Sequence, residues 1–382
     1  MSKTIWILAG EASGDIYGAD LAKALKAQNP NVTIKGMGGE KMRDAGVEII
    51  TDSTELGVIG FIEVMKMYPT FHKIFHRMLK QAEEEKPDVV VTVDYPGFNL
   101  RFAKKVHELG IRTIHYVSPQ VWAWGKKRLK TMPKFIDKLM VIFPFEVDVW
   151  KPTGMDVEFI GHPLVESLQK QKIKVERDKN TVLLLPGSRF SELNRILKPM
   201  LKTAAELKKK RPELKFVIST PREKIRSYVT EQLTHLNFDF PIKVTCDDTV
   251  KWLQQAGTGL AASGTVTVQA AILGLPLVTV YKMNPVSLTL FRMLIKLPFF
   301  TMVNIINKKK TYEEFLQSQV KPSALIPALE RILPNGARRE QVVAEMKEMV
   351  QNLGGEKSVA ETAATSILST INPNSKEPQH GA

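Results

Sequence analysis

The sequence predicts an α/β protein made of two Rossmann-like, doubly wound domains that face one another across a cleft. Three observations predict it. Short apolar runs bounded by Gly, Pro or Asp alternate with helical stretches, and the alternation runs twice along the 382 residues. The runs are continuously apolar, as strands covered by helices on both faces must be. Motifs of small, hydroxyl-bearing and charged residues follow the runs directly, and open parallel sheets bind ligands there.

The first run, Thr4–Ala9, comes straight after Lys3 and is too short for the apolar region of a leader peptide. The polar segment Gly10–Asp15 follows at once, so the run reads as a buried first strand. Further strands are expected at Val89–Val93, Thr113–Val117, Lys138–Phe143, Thr181–Leu185, Lys215–Ile218 and Leu277–Tyr281. Helices are expected at Gly18–Gln28, Leu100–Leu109 and Arg195–Lys210. Gln169–Asn180 is charged and poor in large apolar residues, which marks a linker. The expected domains are therefore 1–170 and 171–345. A C-terminal helix over 346–371 would pack back on an N-terminal domain, its own or a swapped one, and the Pro-rich polar tail 372–382 is expected to be disordered.

Hydrophobic residues make up 43% and charged residues 25%, a balance that supports packed cores and argues against global disorder. The single cysteine, Cys246, rules out an internal disulfide framework and fits a reducing, cytoplasmic compartment. No spanning helix is expected, because the richest apolar segment, Leu288–Val303, carries Arg292 and Lys296. The net charge of +14 calls for an anionic partner: a phosphorylated substrate, an anionic bilayer or a nucleic acid. No helix-turn-helix, zinc or RNA-binding signature is present, so no nucleic acid is expected. No HExxH, GxSxG or Cys–His arrangement is found either, and no metal site or cofactor is expected. His162, in Gly161-His162-Pro163, reads as a structural or hinge residue.

Five strand-end motifs carry candidate chemistry. Gly10-Glu11-Ala12-Ser13-Gly14-Asp15 opens a helix, but Glu11 and Asp15 would repel a phosphate. Ser13, Gly14 and Asp15 therefore suit sugar hydroxyls, or the segment is a capped strand–helix turn. In Asp94-Tyr95-Pro96-Gly97-Phe98-Asn99, partial desolvation at a strand end would make Asp94 a usable base; the other reading is a cap for the helix near Asn99. The third segment, His115–Trp124 with Lys126, Lys127 and Arg128, places Ser118, Trp122 and Trp124 beside cations, either for a sugar or lipid phosphate or as core with a solvated basic face. In the second domain, Gly187, Ser188 and Arg189 offer free backbone, a hydroxyl and a planar donor fork for a diphosphate. Ser263, Gly264, Thr265 and Gln269 open another helix that would hold an anion without a metal.

Val58–Leu79 differs in kind. Val58, Phe61, Ile62, Met65 and, after Pro69, Phe71 and Phe75 recur at helical spacing among Lys and Arg. The pattern fits an interfacial helix on an anionic membrane, or a core-facing helix pair.

Together these motifs resemble the lipid-A-disaccharide synthase family of GT-B glycosyltransferases over nearly the whole chain. The carrying residues are Gly10–Asp15, Asp94, Pro96 and Asn99, His115–Trp124, Phe159–His162, Leu185–Arg189 and Ala262–Thr265. The resemblance implies metal-free, inverting transfer of diacylglucosamine from UDP-diacylglucosamine to diacylglucosamine 1-phosphate. It yields a β-1,6-linked disaccharide phosphate and UDP. It puts UDP mainly on the C-terminal domain and the acceptor on the N-terminal one. It also implies an enzyme peripheral to the inner membrane and, in some members, an intertwined homodimer. Asp94 is then the catalytic base, with Glu11 as the alternative base or a sugar contact, while Asn304 and Gln317 contact sugar. The family often has Glu where this chain has Gln269, an amide that binds a ribose diol about 1 kcal/mol more weakly. It also has a Leu-Pro-Asn turn where this chain has Met302-Val303-Asn304. The competing readings are another UDP-sugar enzyme of the same fold, such as an epimerase, and a non-catalytic nucleotide- or lipid-binding homologue.

Overall fold

The computed structural model describes residues 3–53, 61–236, 240–284, 298–354 and 358–371, with only the backbone described for 61–70 and 236. The C-terminal tail lies outside the described residues. The chain divides into two compact units, one running to Pro163 and resuming at Gly354, the other Leu164–Leu353. The first break thus falls inside the short helix Pro163–Lys170, ahead of the charged stretch that reads as a linker.

The first unit runs β1 (Thr4–Ala9), α1 (Ala12–Gln28), β2 (Thr33–Gly38), α2 (Glu40–Asp44), β3 (Glu48–Asp52) and α3 (Phe61–Glu85). It continues with β4 (Val89–Val93), α4 (Pro96–Glu108), β5 (Arg112–Tyr116), α5 (Arg128–Thr131), β6 (Lys138–Val141), α6 (Phe145–Trp150) and β7 (Val157–Phe159). Its seven strands are ordered β3-β2-β1-β4-β5-β6-β7, and every pairing is parallel. Both faces are covered, which is why β1 and β4 are apolar throughout. Ile5, Ile7, Ala9, Val89, Val91 and Val93 face Leu21 and Leu25 of α1 and Ala363, Ala364 and Ile367 of the C-terminal helix Val359–Ile371. Trp6, Leu8 and Val90 face Met78 of α3 and Phe102 and Val106 of α4. Each Val, Leu, Ile, Met or Phe among them contributes about 1.5–3 kcal/mol by burial. The C-terminal helix is tied in further by Lys138, whose ammonium donates to Glu158 at 2.9 Å and to Ser366 at 3.0 Å.

α3 corrects part of the membrane assignment. The helix continues across Pro69, and its second half turns Ile74 and Met78 into the core. Phe75 meets the edges of Phe98 and Phe102, with ring centroids 5.6 Å away in each case, and Phe71 is half-buried beside it. These two half-buried rings therefore pack against the aromatic surface that α4 supplies. Val58 and the side chains of Phe61, Ile62 and Met65 lie outside the described residues. Among the described residues, no helix is long and apolar enough to cross a membrane.

The second unit follows α7 (Pro163–Lys170) with β8 (Asp178–Leu185), α8 (Phe190–Lys210), β9 (Lys215–Ser219), α9 (Glu223–Leu236) and β10 (Ile242–Thr245). Next come α10 (Thr249–Gln255), β11 (Ala256–Ala262), α11 (Thr265–Ile272), β12 (Leu277–Tyr281) and β13 (Glu313–Leu316). Its six strands are ordered β10-β9-β8-β11-β12-β13, again all parallel. Each sheet reverses its winding once: between β1 and β4 in the first, and between β8 and β11 in the second. The helices leaving the two central strands go to opposite faces, so a crevice opens at their carboxyl ends.

Candidate active site

In the first unit, the two loops at that crevice are Gly10–Asp15 and Asp94–Asn99. Asp94 and Tyr95 both take left-handed backbone angles, φ +46° and +47°, which cost non-glycine residues of order 1–3 kcal/mol each. Two bonds systems hold this turn. The Asp94 N–H donates to Tyr116 O at 2.8 Å, and the fully buried Asn99 amide lies 3.2, 3.0 and 2.8 Å from the carbonyls of Leu8, Val93 and Asp94. Asn99 is thus a clamp across the crevice floor and not a sugar contact, a correction that follows from its burial. The Tyr95 ring lies on the backbone of Gly10, where any Cβ would sit 2.2 Å from the ring; only glycine fits.

The turn presents the Asp94 carboxyl half-buried, and burial pushes its pKa up, opposed by a hydrogen bond from the Tyr95 backbone. The pKa of Glu11 is also raised, first by burial and then by the charge of Asp94. Tyr17 is raised by burial and by Asp94, and Tyr95 by burial and by Glu11. Asp94, Glu11, Tyr17 and Tyr95 therefore form one electrostatic group. The two tyrosines were not among the expected site residues. Tyr17, one helical turn beyond Ser13, carried no motif of its own.

The rest of the first loop divides. Ser13 is exposed. Asp15 is buried, and its carboxylate accepts from the N–H groups of Gly39, Lys41 and Met42 at 2.7, 3.0 and 3.1 Å, so it anchors α2 instead of a sugar. Gly14 is buried too, with a Cβ there meeting Ala9 at 3.3 Å; its role is to let α1 lie close to β1.

After β5, the structure also reassigns the aromatic segment. Ser118 is buried, accepts from Trp150 Nε1 at 2.9 Å and donates to Pro119 O at 3.1 Å. Trp122 spends its indole N–H on Glu146, 3.3 Å away, and meets the ring of Phe145 edge-on. Both expected sugar contacts are thus internal supports around Glu146, while Trp124 is 63% exposed. Burial pushes the Glu146 carboxyl up to about 8. The same effect holds His115 down at about 3 and His162 at about 4, so both imidazoles are neutral supports at ordinary pH.

In the second unit, β8 is followed by Gly187, with φ +107°, then Ser188 and Arg189, which precede α8. Ser188 and Arg189 are exposed, and the Arg189 guanidinium reaches Glu192 at 3.1 Å. β11 is followed by Ser263, Gly264 and Thr265 at the start of α11, with Gly264 and Thr265 exposed and no atom within 4 Å of a Cβ placed on Gly264. The two turns are neighbours: a Cβ on Gly187 would lie 3.6 Å from that of Ala262. Free backbone, hydroxyls, one guanidinium and two helix starts therefore meet at the second crevice, a set suited to a diphosphate. Gln269 is half-buried on α11. Gln317 takes φ +52° just past β13 and donates to Met283 O at 3.2 Å. Asn304 is a correction: it is fully buried and exchanges two 2.8 Å bonds with the Tyr312 backbone, which fixes the turn before β13.

His72 and His76 stand four residues apart on α3, a spacing that the metal-motif reading passed over, with Nε2 atoms 3.1 Å apart. No group of three or more His, Cys, Asp or Glu that could hold a metal occurs among the described residues.

Two all-parallel doubly wound sheets, each with polar turns at its reversal point, define a protein of the GT-B class of glycosyltransferases and related epimerases. Solved structures agree at the level of the fold. S. aureus MnaA in complex with UDP matches with a TM-score of 0.66 at 13% identity, covering all of both chains. A putative UDP-N-acetylglucosamine 2-epimerase from Listeria monocytogenes matches at 0.64 and 14%, covering 99% of this chain and 98% of that one. The family model for lipid-A-disaccharide synthetase matches residues 5–368, and the chain belongs to that family. Lipid-A-disaccharide synthases from Koribacter versatilis and Myxococcus xanthus are 37% and 33% identical, over 96% and 97% of this chain and 98% of each relative. This is a glycosyltransferase of lipid A biosynthesis.

Proposed function

We propose that this chain joins diacylglucosamine from its UDP derivative to the 6-hydroxyl of diacylglucosamine 1-phosphate, with the first unit activating the acceptor and the second receiving UDP. Asp94 takes the proton of the acceptor hydroxyl. The freed oxygen attacks C1 of the donor from the face opposite the phosphate. As the C1–O bond breaks, its electron pair leaves with UDP, and the anomeric carbon is inverted. The observation that carries this reading is the half-buried Asp94 at the reversal point of the first sheet, held in strained backbone and raised in pKa. Such a carboxylate is a better base than an ordinary Asp. Glu11 shares its field and positions a sugar hydroxyl. Arg189, Ser188 and the Ser263–Thr265 turn take up the charge that develops on the diphosphate, each charge-assisted bond contributing about 1.5–3 kcal/mol. UDP release should require both acylated substrates together. Release at the same rate without acceptor, or none with both, would reject the assignment.

The net charge of +14 and the amphipathic sequence ahead of Phe71 support peripheral binding to an anionic membrane, where acylated substrates reside. The protein should pellet with phosphatidylglycerol vesicles at low salt and with phosphatidylcholine vesicles far less. The pair Phe61→Ser and Ile62→Ser should weaken that pelleting, and equal pelleting by this variant would remove the segment from the account.

A further inference from the structure

We infer that the acceptor is held on the first unit by two adjoining cavities that share Gly97 and Arg101, an acyl chain entering one and the phosphate monoester the other. The inference rests on the reading of the chain as a transferase of acylated sugars, and it says where the two ends of the acceptor go.

α4 starts directly after the Asp94–Tyr95 turn, and its first turns separate the cavities. Between α3 and α4 lies a cavity of about 410 Å³ whose walls include Phe71, Phe75, Tyr95 and Phe98. Between α4 and α5 lies one of about 600 Å³ whose walls carry Arg101, Lys104, Arg128 and Lys134. Both volumes fall within the range of small-molecule sites. One wall is aromatic and the other cationic, and Arg101 borders both, its stem suited to the apolar side and its head to the basic side.

The cations are available. Among the described residues, Arg101, Arg128 and Lys134 form no ion pair and donate no side-chain hydrogen bond. The one carboxylate on the basic wall, Glu108, is taken by Lys105 at 2.7 Å, with Lys104 adding to its field, and His107 faces Asp137 at 3.6 Å. A free fatty acid has no need of so many cations. A phosphorylated, acylated sugar matches both, and the base lies one turn away in the same loop.

Equilibrium binding in detergent micelles, without donor, tests this independently of turnover. The probes are diacylglucosamine 1-phosphate and the same sugar without phosphate. The double variant Arg101→Ala, Lys104→Ala should weaken the phosphorylated probe about tenfold or more while changing the other less than about twofold. Gly97→Leu fills the shared mouth, and a Cβ there meets no atom within 4 Å, so the helix tolerates it. It should weaken both probes. An unchanged circular dichroism spectrum and thermal unfolding curve in each variant verify that the first unit is folded, and unchanged UDP affinity verifies the second. The proposal is overturned if the double variant treats the two probes alike, or if Gly97→Leu binds both like the unaltered protein. Failure of UDP release with intact probe binding would instead count against the transferase reading.

Discussion

Replacing Asp94 by Asn lowers turnover by about 10²–10⁴ and leaves UDP binding intact, the range expected when a positioned general base is lost. The isosteric amide keeps the turn, because the bonds of the Asp94 N–H and C=O remain and the amide oxygen still accepts from the Tyr95 N–H. Circular dichroism and UDP titration should match those of the unaltered protein. Asn99→Ala makes an instructive contrast, since it removes the amide under the turn and leaves buried carbonyls unpaired.

Replacing Arg189 by Ala should do the opposite. The guanidinium is exposed and, among the described residues, held only by Glu192 in the first turn of α8, so its loss leaves the fold alone. It removes a planar donor fork for the diphosphate, and UDP affinity should fall about ten- to a hundredfold. Acceptor binding should be unaffected, because its proposed site lies wholly on the first unit. Titration of UDP and of the acceptor into this variant checks both statements, and equal UDP affinity would take Arg189 out of the diphosphate site.

Much of the architecture was legible because both sheets are buried on both faces. β1, β4 and β12 are runs of Val, Ile, Leu and Trp whose bounds the sequence pattern matched. β11 was not legible, although it is central in its sheet. Its sequence, AGTGLAA, has one large apolar residue and low strand propensity, and packing against β8 and β12 makes it a strand. The site divides in the same way. Strand-end position picked out Asp94, Glu11, Ser188 and Arg189, which are exposed or half-buried there. It could not tell a polar residue facing the crevice from one turned inward, so Asp15, Asn99 and Ser118 read as ligand contacts until their backbone and side-chain partners were known, as did Asn304 on the family resemblance. The amphipathic pattern through Phe75 had the same ambiguity, since a core-facing helix and an interfacial one share a period.

The pH dependence of kcat/KM for the acceptor tests the central claim most directly, because it reports the base of the free enzyme. The base must be deprotonated to act, and burial raises the Asp94 pKa above the ordinary 3.8. The unaltered enzyme should therefore lose activity as pH falls, with a midpoint above that value, and Asp94→Asn should show a low profile without that limb. An unshifted limb persisting in Asp94→Asn at near-normal rate would place the base elsewhere.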